Sequence, residues 1–406
     1  MPEDTGLQPL NGWRVQGHDR PDAIDADHWN ALLYASPQPT PFLRHEWLQA
    51  LHDSGCASPE TGWTPLFLTV HGPSTPDEGP ADGVAAFYAK AHSYGEYVFD
   101  WAWARAYEEA GLQYYPKLLS ASPFTPVPGS RLLSNSPAAR LALLQGMVNL
   151  SERLACSSAH VLFPDALDAE AARASGWLMR QGVQFHWHNR HAWAPGSPYE
   201  DFADFLGHLH RDKRKKIQQE RRRVREAGVK VKARQGREIE AKDWAFFYRC
   251  YRQTYLEHGG PPYLSEAFFK QVARTMPAHW LMFTAEVEGE PVAASLLGID
   301  TDEKVAWGRY WGAIRHIPCL HFELCYYSPL AWCIEQCFVD FEGGAQGEHK
   351  LARGLLPVTT WSAHWLRDSR FADAVSRFLA REGAGMHAYV DELRDRVPFR
   401  PGQPSS

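Results

Sequence analysis

A chain of 406 residues is too long for one ordinary hydrophobic core, so two or three domains are expected. Hydrophobic content of 44%, aromatic content of 13% and 16 Trp exclude a disordered chain. The formal net charge of -6 gives no global attraction to nucleic acid or anionic membrane, and no run approaches the roughly 18 apolar residues of a membrane span.

The first 20 residues are polar, lack an apolar core of secretory type and are expected to fray. The seven cysteines, at 56, 156, 250, 319, 325, 333 and 337, are scattered and odd in number. They form no disulfide framework, so a reducing compartment and a soluble cytoplasmic protein are expected.

Short helices are read over 27–33 and 43–51, the second closed by Gly55. Strands over 63–70 and 83–91 flank an exposed loop at 72–83 that holds three prolines and several acids. The stretch His92-Ser93-Tyr94-Gly95-Glu96-Tyr97-Val98-Phe99-Asp100-Trp101 alternates like a strand and puts His92, Glu96 and Asp100 on one side. A side with three ionisable residues is either exposed or part of a site. A helix over 101–110 and proline-stiffened segments to residue 133 follow, then an amphipathic helix over 136–155 with Pro137 at its first position. A strand at 159–163, a helix at 165–180 and a strand at 183–187 complete a first unit. Pro195-Gly196-Ser197-Pro198 marks its boundary, giving a first domain over 1–195.

The second domain, 196–385, opens with a helix over 199–228 stopped by Gly228. This helix carries a basic run from Arg211 to Arg225, in which Lys213, Arg214, Lys215 and Arg221 are candidates to bind the phosphates of a cofactor or of RNA. A solvated helix face is the plain alternative. A strand at 229–233 and helices at 244–255 and 266–276 precede three strands at 280–287, 291–299 and 305–310. Glu288-Gly289-Glu290 makes a tight hairpin between the first two. A helix ending near Cys337, a strand at 339–342, a polar glycine-rich loop and a last helix at 371–381 follow. Residues 386–406 form a partly disordered tail, from Pro398 onward.

Three segments mix aromatic with ionisable residues: Gly308-Arg309-Tyr310-Trp311-Gly312, Leu320-His321-Phe322-Glu323-Leu324-Cys325-Tyr326-Tyr327, and the loop Gly343-Gly344-Ala345-Gln346-Gly347-Glu348-His349-Lys350-Leu351-Ala352-Arg353-Gly354. Together they suggest one pocket with apolar walls and a few placed polar groups. Metal ligation is not expected: neither His186, His188 and His191 nor Cys333 and Cys337 supplies four ligands at a known spacing. No Gly-Lys-Ser/Thr ending or Gly-x-Ser-x-Gly motif is present, which disfavours NTP hydrolysis and a covalent serine intermediate.

These segments, with His92-Ser93-Tyr94-Gly95-Glu96-Tyr97, resemble the FemAB-related proteins, bacterial "peptidoglycan biosynthesis" proteins of the acyl-CoA N-acyltransferase superfamily. The resemblance spans about residues 40–385. It implies an α/β fold of two tandem GNAT-like domains, each a mixed sheet flanked by helices, and transfer of an acyl or aminoacyl group to an amine. The sequence departs from the pattern at Pro329, and the glycine-rich pyrophosphate loop of ordinary acetyl-CoA transferases has no recognisable counterpart. Acyl-CoA and an aminoacyl-tRNA both stand as candidate donors, and the length of the basic run suits a polyanion. A non-catalytic protein on the same fold, binding a cell-wall precursor or RNA, is the alternative.

Acyl transfer requires that the amine lose a proton and that the oxyanion be stabilised. Glu348 or His349 is the candidate base, with Glu323 and His321 competing, and Lys350 or Arg353 is the candidate cation. Arg309, beside Tyr310 and Trp311, suits an anionic substrate group. Gln346, Arg353, His92 and Glu96 complete the candidate substrate-binding set.

Overall fold

The computed structural model describes residues 12–76, 78–191, 196–345 and 347–400. In chain order its strands are β1 (Arg14–His18), β2 (Trp63–His71), β3 (Gly83–Lys90), β4 (Lys117–Ser120), β5 (Leu132–Ser134), β6 (Ser158–Leu162) and β7 (Leu178–His188). They continue with β8 (Val229–Gln235), β9 (Trp280–Val287), β10 (Glu290–Asp300), β11 (Val305–Ala313), β12 (Asp340–Ala345) and β13 (Leu356–Leu366). The helices begin with α1 (Ala26–Tyr34), α2 (His45–Asp53), α3 (Trp101–Glu109), α4 (Pro137–Arg153), α5 (Ala166–Ala174) and α6 (Phe202–His208). Then come α7 (Arg211–Glu226), α8 (Ala241–Glu257), α9 (Glu266–Thr275), α10 (Leu320–Phe322), α11 (Ser328–Glu335) and α12 (Ser369–Asp395). A π turn, Glu323–Tyr327, joins α10 to α11.

Two compact units result, Met1–Gly182 with Thr359–His387, and Val183–Val358 with Ala388–Ser406. These bounds differ from the expected division at 195. The described part of the Pro-Gly-Ser-Pro segment, Gly196 to Pro198, lies inside the second unit, between β7 and α6, while β7 itself crosses from one unit to the other. The expected tail from 386 differs too, because α12 runs on to Asp395 and ends in the second unit.

The first unit orders its strands β1-β2-β3-β4-β6-β13, with β5 beside β3. All neighbours are antiparallel except β4 and β6. The second unit orders them β8-β9-β10-β11-β12-β7, again antiparallel except for β11 and β12. Each unit thus builds the same pattern: four antiparallel strands, a parallel fifth and an antiparallel sixth. The sixth strands are exchanged. β7 follows β6 in the chain yet pairs with β12, and β13 follows β12 yet pairs with β6.

Local chemistry explains most elements. Ser136 caps α4 through the Ala139 N–H, and Pro137 occupies the first turn, where its missing N–H costs nothing. The β9–β10 hairpin turns on Glu288 (φ 55°) and Gly289 (φ 87°), the positive pair of a type I′ turn. The apolar face of α8 sets Phe247 and Tyr251 against Phe269 of α9 and Tyr310 of β11, with ring centroids 5.1–6.4 Å apart.

Four expectations are corrected. The single helix over 199–228 is two, broken at Leu209, whose extended backbone (ψ 154°) lets it bury completely and bridge to Phe399. The helix expected over 165–180 stops at Ala174, because Gly176 takes φ 79° and the chain turns into β7. The described part of the frayed N-terminus contains β1, paired with β2. At the other end Phe399 is buried in the second core and Arg400 N–H donates to His208 O at 3.0 Å. Among the described residues no helix is long and apolar enough to cross a membrane.

Gly312 sits where α8 presses on β11: a Cβ there would lie 2.1 Å from the Cys250 carbonyl oxygen. Backbone cannot yield as a side-chain tip does, so Gly312→Ala should destabilise the second unit by about 3 kcal/mol or abolish soluble expression. Denaturant unfolding against wild type measures this.

Candidate active site

Parallel pairing of β11 with β12 runs only from Val305 opposite Asp340 to Trp307 opposite Glu342. Beyond that, β12 continues along β7 with an irregular register between Glu342 and Ala345. Gly344 takes φ 77°, a backbone conformation that L side chains rarely adopt. Its carbonyl accepts a hydrogen bond from Lys350 Nζ at 3.1 Å. Lys350 is buried, on a short 3-10 turn, Glu348–Arg353. Arg309 lies two residues past Trp307, the last β11 residue paired with β12; its guanidinium donates to Gly308 O at 2.8 Å and stands 3.7 Å from a Glu342 carboxylate oxygen. Both ionic side chains are nearly inaccessible. Burial, and then the charge of Arg309, lowers the Lys350 ammonium to about 8. Burial likewise drives His186, on the neighbouring strand, down to about 3, so that ring is neutral.

Beside the cations is an aromatic wall. Tyr326 from the π turn shares a hydrogen bond of 3.1 Å with His349 Nε2. His321 stands edge-on to Trp311 at 5.3 Å and to Tyr326 at 5.8 Å. Its burial lowers it to about 4. The exposed His349 is also lowered, by desolvation first and then by Arg353 and Lys350. Tyr310 faces the α8–α9 aromatic core, away from Trp311, while Arg309 is the residue skipped by the β10–β11 register at a bulge. The expected substrate-binding role of Tyr310 is corrected on that ground.

Two internal ion pairs brace the wall. Arg353 meets Glu220 of α7 at 3.1 Å, lies 3.6 Å over the Phe322 ring and donates to His349 O at 2.7 Å. Tyr327 O–H donates to the same Glu220. Arg221 forks onto Glu323 at 3.0–3.2 Å, and Ser328 O–H donates to Glu323 at 2.9 Å. Glu323, expected as a competing base, and Arg221, expected to bind phosphate, therefore hold each other. Glu348 turns outward, accepting from Tyr389 at 3.0 Å and lying 3.4 Å from Arg396. Pro329 falls in the first turn of α11, directly after the π turn, so the departure noted in the sequence forms part of a wide helical turn.

On α7, Lys213 is 3.1 Å from Asp212, Arg214 reaches Gly207 O at 3.5 Å and Lys215 is exposed. The helix buries Ile217, Glu220 and Val224 and leaves its remaining cations facing outward. Gln346 lies outside the described residues.

His92 and Glu96 belong to the first unit, where the segment expected to alternate does not. Gly95 and Tyr97 have positive φ, and Ser93, Glu96 and Asp100 are buried together around Lys117. Lys117 Nζ donates to Ser93 at 2.7 Å, Glu96 at 2.7 Å and Asp100. His92 instead donates to Thr61 O at 2.9 Å. Burial raises Glu96 to about 7, while Lys117 pulls Asp100 down to about 2 against the upward push of burial. A second buried lysine, Lys90, lies 3.5 Å over the Trp63 ring and falls to about 7 through desolvation. Tyr114 O–H donates to Asp100 at 2.7 Å and stands 3.4 Å from His160, which meets His364 at 2.7 Å. Sequence reading passed over Lys90, Lys117, His160 and His364. The signal was partial: His160 and His364 are ionisable residues inside strands, while Lys90 and Lys117 end and begin theirs.

The sequence matches the model of one protein family, FemAB-like, described as peptidoglycan biosynthesis/recognition, over residues 20–401. The chain belongs to the FemAB-like family. The fold of this FemAB-like chain is the mixed α/β one that its sequence implied, with one strand order built twice. No curated protein matches it. Among solved structures it is similar to L-PGS from Bacillus licheniformis, at 10% identity and TM-score 0.51, covering 93% of this chain and 98% of that one. It is also similar to the C-terminal domain of a putative lysylphosphatidylglycerol synthetase from Agrobacterium fabrum (8%, TM-score 0.51, covering 89% and 96%). A conserved protein of unknown function from Bacteroides thetaiotaomicron VPI-5482 gives 9% and TM-score 0.52, covering 87% and 100%. At such identities the likeness concerns the fold alone.

The first unit of the FemAB-like chain offers a titration test. Glu96 rises from 4.5 unfolded to about 7 folded, so between those values the folded state holds a proton that the unfolded state has lost. Stability from this group therefore falls as pH rises from 4.5 to 7. Glu96→Gln should remove that slope, read as the difference between variant and wild-type melting temperatures across the window.

Proposed function

We propose that this protein is an N-acyltransferase that moves an acyl or aminoacyl group from an activated donor to an amine, in cell-wall precursor metabolism, with the second unit as the catalytic one. The observation that carries this reading is the meeting of Lys350, Arg309 and His349 where β11 and β12 stop pairing. The FemAB-like family description supports the cell-wall context.

The amine nitrogen attacks the acyl carbonyl carbon, forming a C–N bond and an oxyanion. Collapse of the intermediate breaks the C–S bond of a thioester or the C–O bond of an aminoacyl ester. His349 is the base. In the tautomer whose Nε2–H donates to Tyr326, Nδ1 takes the amine proton and returns it to the leaving thiolate or alkoxide. Lys350 supplies positive charge to the oxyanion from a site shielded from water, where charge acts most strongly. Arg309 suits an anionic group of the donor or acceptor. The exposed cations of α7 suit the phosphates of an acyl-CoA or of tRNA.

This assignment sets a pH profile. His349 must be neutral, so activity rises through a value below 6.5. Lys350 must be charged, so activity falls as pH passes about 8. A bell-shaped kcat/KM is expected, and Lys350→Arg should move its alkaline limb upward by a unit or more, since guanidinium stays protonated.

The donor class is read by thermal shift against coenzyme A, acyl-CoAs and bulk tRNA at fixed salt. A ligand of the folded state at 100 times its Kd stabilises by about 2.7 kcal/mol. A shift with an acyl-CoA or with tRNA identifies the donor. No shift with any of them, together with unchanged precursor binding when Glu348, His349 and Lys350 all become alanine, turns the reading to a non-catalytic binding protein.

A further inference from the structure

Away from the residues of the proposed reaction, the second unit gathers a set of donors that the sequence separates. His191 lies just beyond β7, while Asp204 and His208 sit one turn apart on α6. One ligand atom from each, two imidazole nitrogens and a carboxylate oxygen, lies within 4.8 Å of the other two. Asp204 divides its oxygens between them. Oδ2 is 3.1 Å from His191 Nε2 and Oδ1 is 3.4 Å from His208 Nδ1, which also lies 3.0 Å from the Asp204 carbonyl oxygen. The three side chains are 22%, 26% and 24% exposed, enough to admit an ion and one or two waters.

The surroundings hold the donors in place. The two imidazole rings lie 4.3 Å apart at 32°. Tyr199 backs both, at 5.1 and 5.4 Å, and is itself packed on Trp187 and Phe205 in the core. Asp204 accepts the Glu200 N–H at 3.1 Å, which orients its carboxylate from the backbone. An apolar floor under half-buried polar ligands is the usual setting of a protein metal centre.

We propose that His191, Asp204 and His208 bind one transition-metal ion of the zinc class, with water completing the coordination. Two imidazoles and one carboxylate match the ligand preference of zinc, and of cobalt or nickel offered in its place, rather than that of calcium or magnesium. Tetrahedral ligands at zinc distances stand about 3.3 Å apart, so binding needs only side-chain rotations that draw the donors together. The His186-His188-His191 spacing considered in the sequence does not form such a set. His186 turns to Gln184 and His188 to Asp340, leaving only His191 for this cluster. The ion would tie the segment after β7 to α6, acting on stability rather than on the acyl-transfer groups.

The test uses the purified full-length chain after chelator treatment, titrated with zinc by calorimetry and with cobalt by visible absorption. The expected result is one ion per chain, an absorption spectrum of imidazole-bound cobalt and a raised melting temperature. His191→Ala and His208→Gln should each weaken zinc binding at least tenfold. Absence of stoichiometric binding, or unchanged affinity in both variants, overturns the proposal. Should a variant misfold, wild-type protein decides: zinc must protect His191 and His208 from carbethoxylation mapped by mass spectrometry, and equal modification with and without zinc overturns it.

Discussion

Parallel pairing between β11 and β12 ends after three positions, and the backbone beyond must find other partners. In the second unit those partners are cationic side chains. Lys350 takes the Gly344 carbonyl and Arg309 takes that of Gly308. The same parting of strands thus brings two buried positive charges to one place, with Glu342 beside Arg309 and the solvent-facing His349 next to Lys350 in the chain. Putting cations there is costly, since each loses its hydration, and for Arg309 the neighbouring Glu342 carboxylate offsets part of that cost. The lowered ammonium of Lys350 expresses that cost.

The braces around this place show why neighbouring charges have different fates. Glu220 and Glu323 each engage an arginine and at least one hydroxyl, so the desolvated carboxylates are well satisfied. Residues fully occupied in that way hold the π turn and the 3-10 turn against α7. Those turns in turn carry Tyr326 and His349, so α7 works from its buried face as a scaffold and from its exposed face as a surface of positive charge.

Much of the fold was legible. The capped α4, the β9–β10 hairpin and the strands from β8 to β12 follow from periodicity and turn chemistry, which are local, whereas β1, β4, β5 and β13 were not read. The failures were also physical. Leu209 left its helix because burial against Phe399 outweighed helical continuity, a contact almost two hundred residues distant in sequence. The stretch from His92 to Asp100 alternates in composition, but its left-handed Gly95 and Tyr97 redirect the side chains toward Lys117, and alternation alone carries no information about such turns. Of the candidate site, the convergence of Arg309, His321, His349, Lys350 and Trp311 was visible as three mixed aromatic and ionic segments. What sequence could not assign was which charges neutralise one another, because Glu323 with Arg221 and Glu220 with Arg353 are paired across about a hundred residues or more.

The exchanged sixth strands have a consequence for how the chain is made. The first unit lacks the strand that flanks β6 until β13, at residues 356–366, has been synthesised. Its β6 edge must therefore wait, unpaired on that side, while some two hundred further residues emerge from the ribosome. An exposed edge strand is a template for wrong pairing. β6 is also short and carries His160, whose partner His364 arrives only with β13. Domain-by-domain folding during synthesis is the common route for long chains. Here the last stage of the first unit is instead tied to synthesis of the strands of the second unit that precede β13.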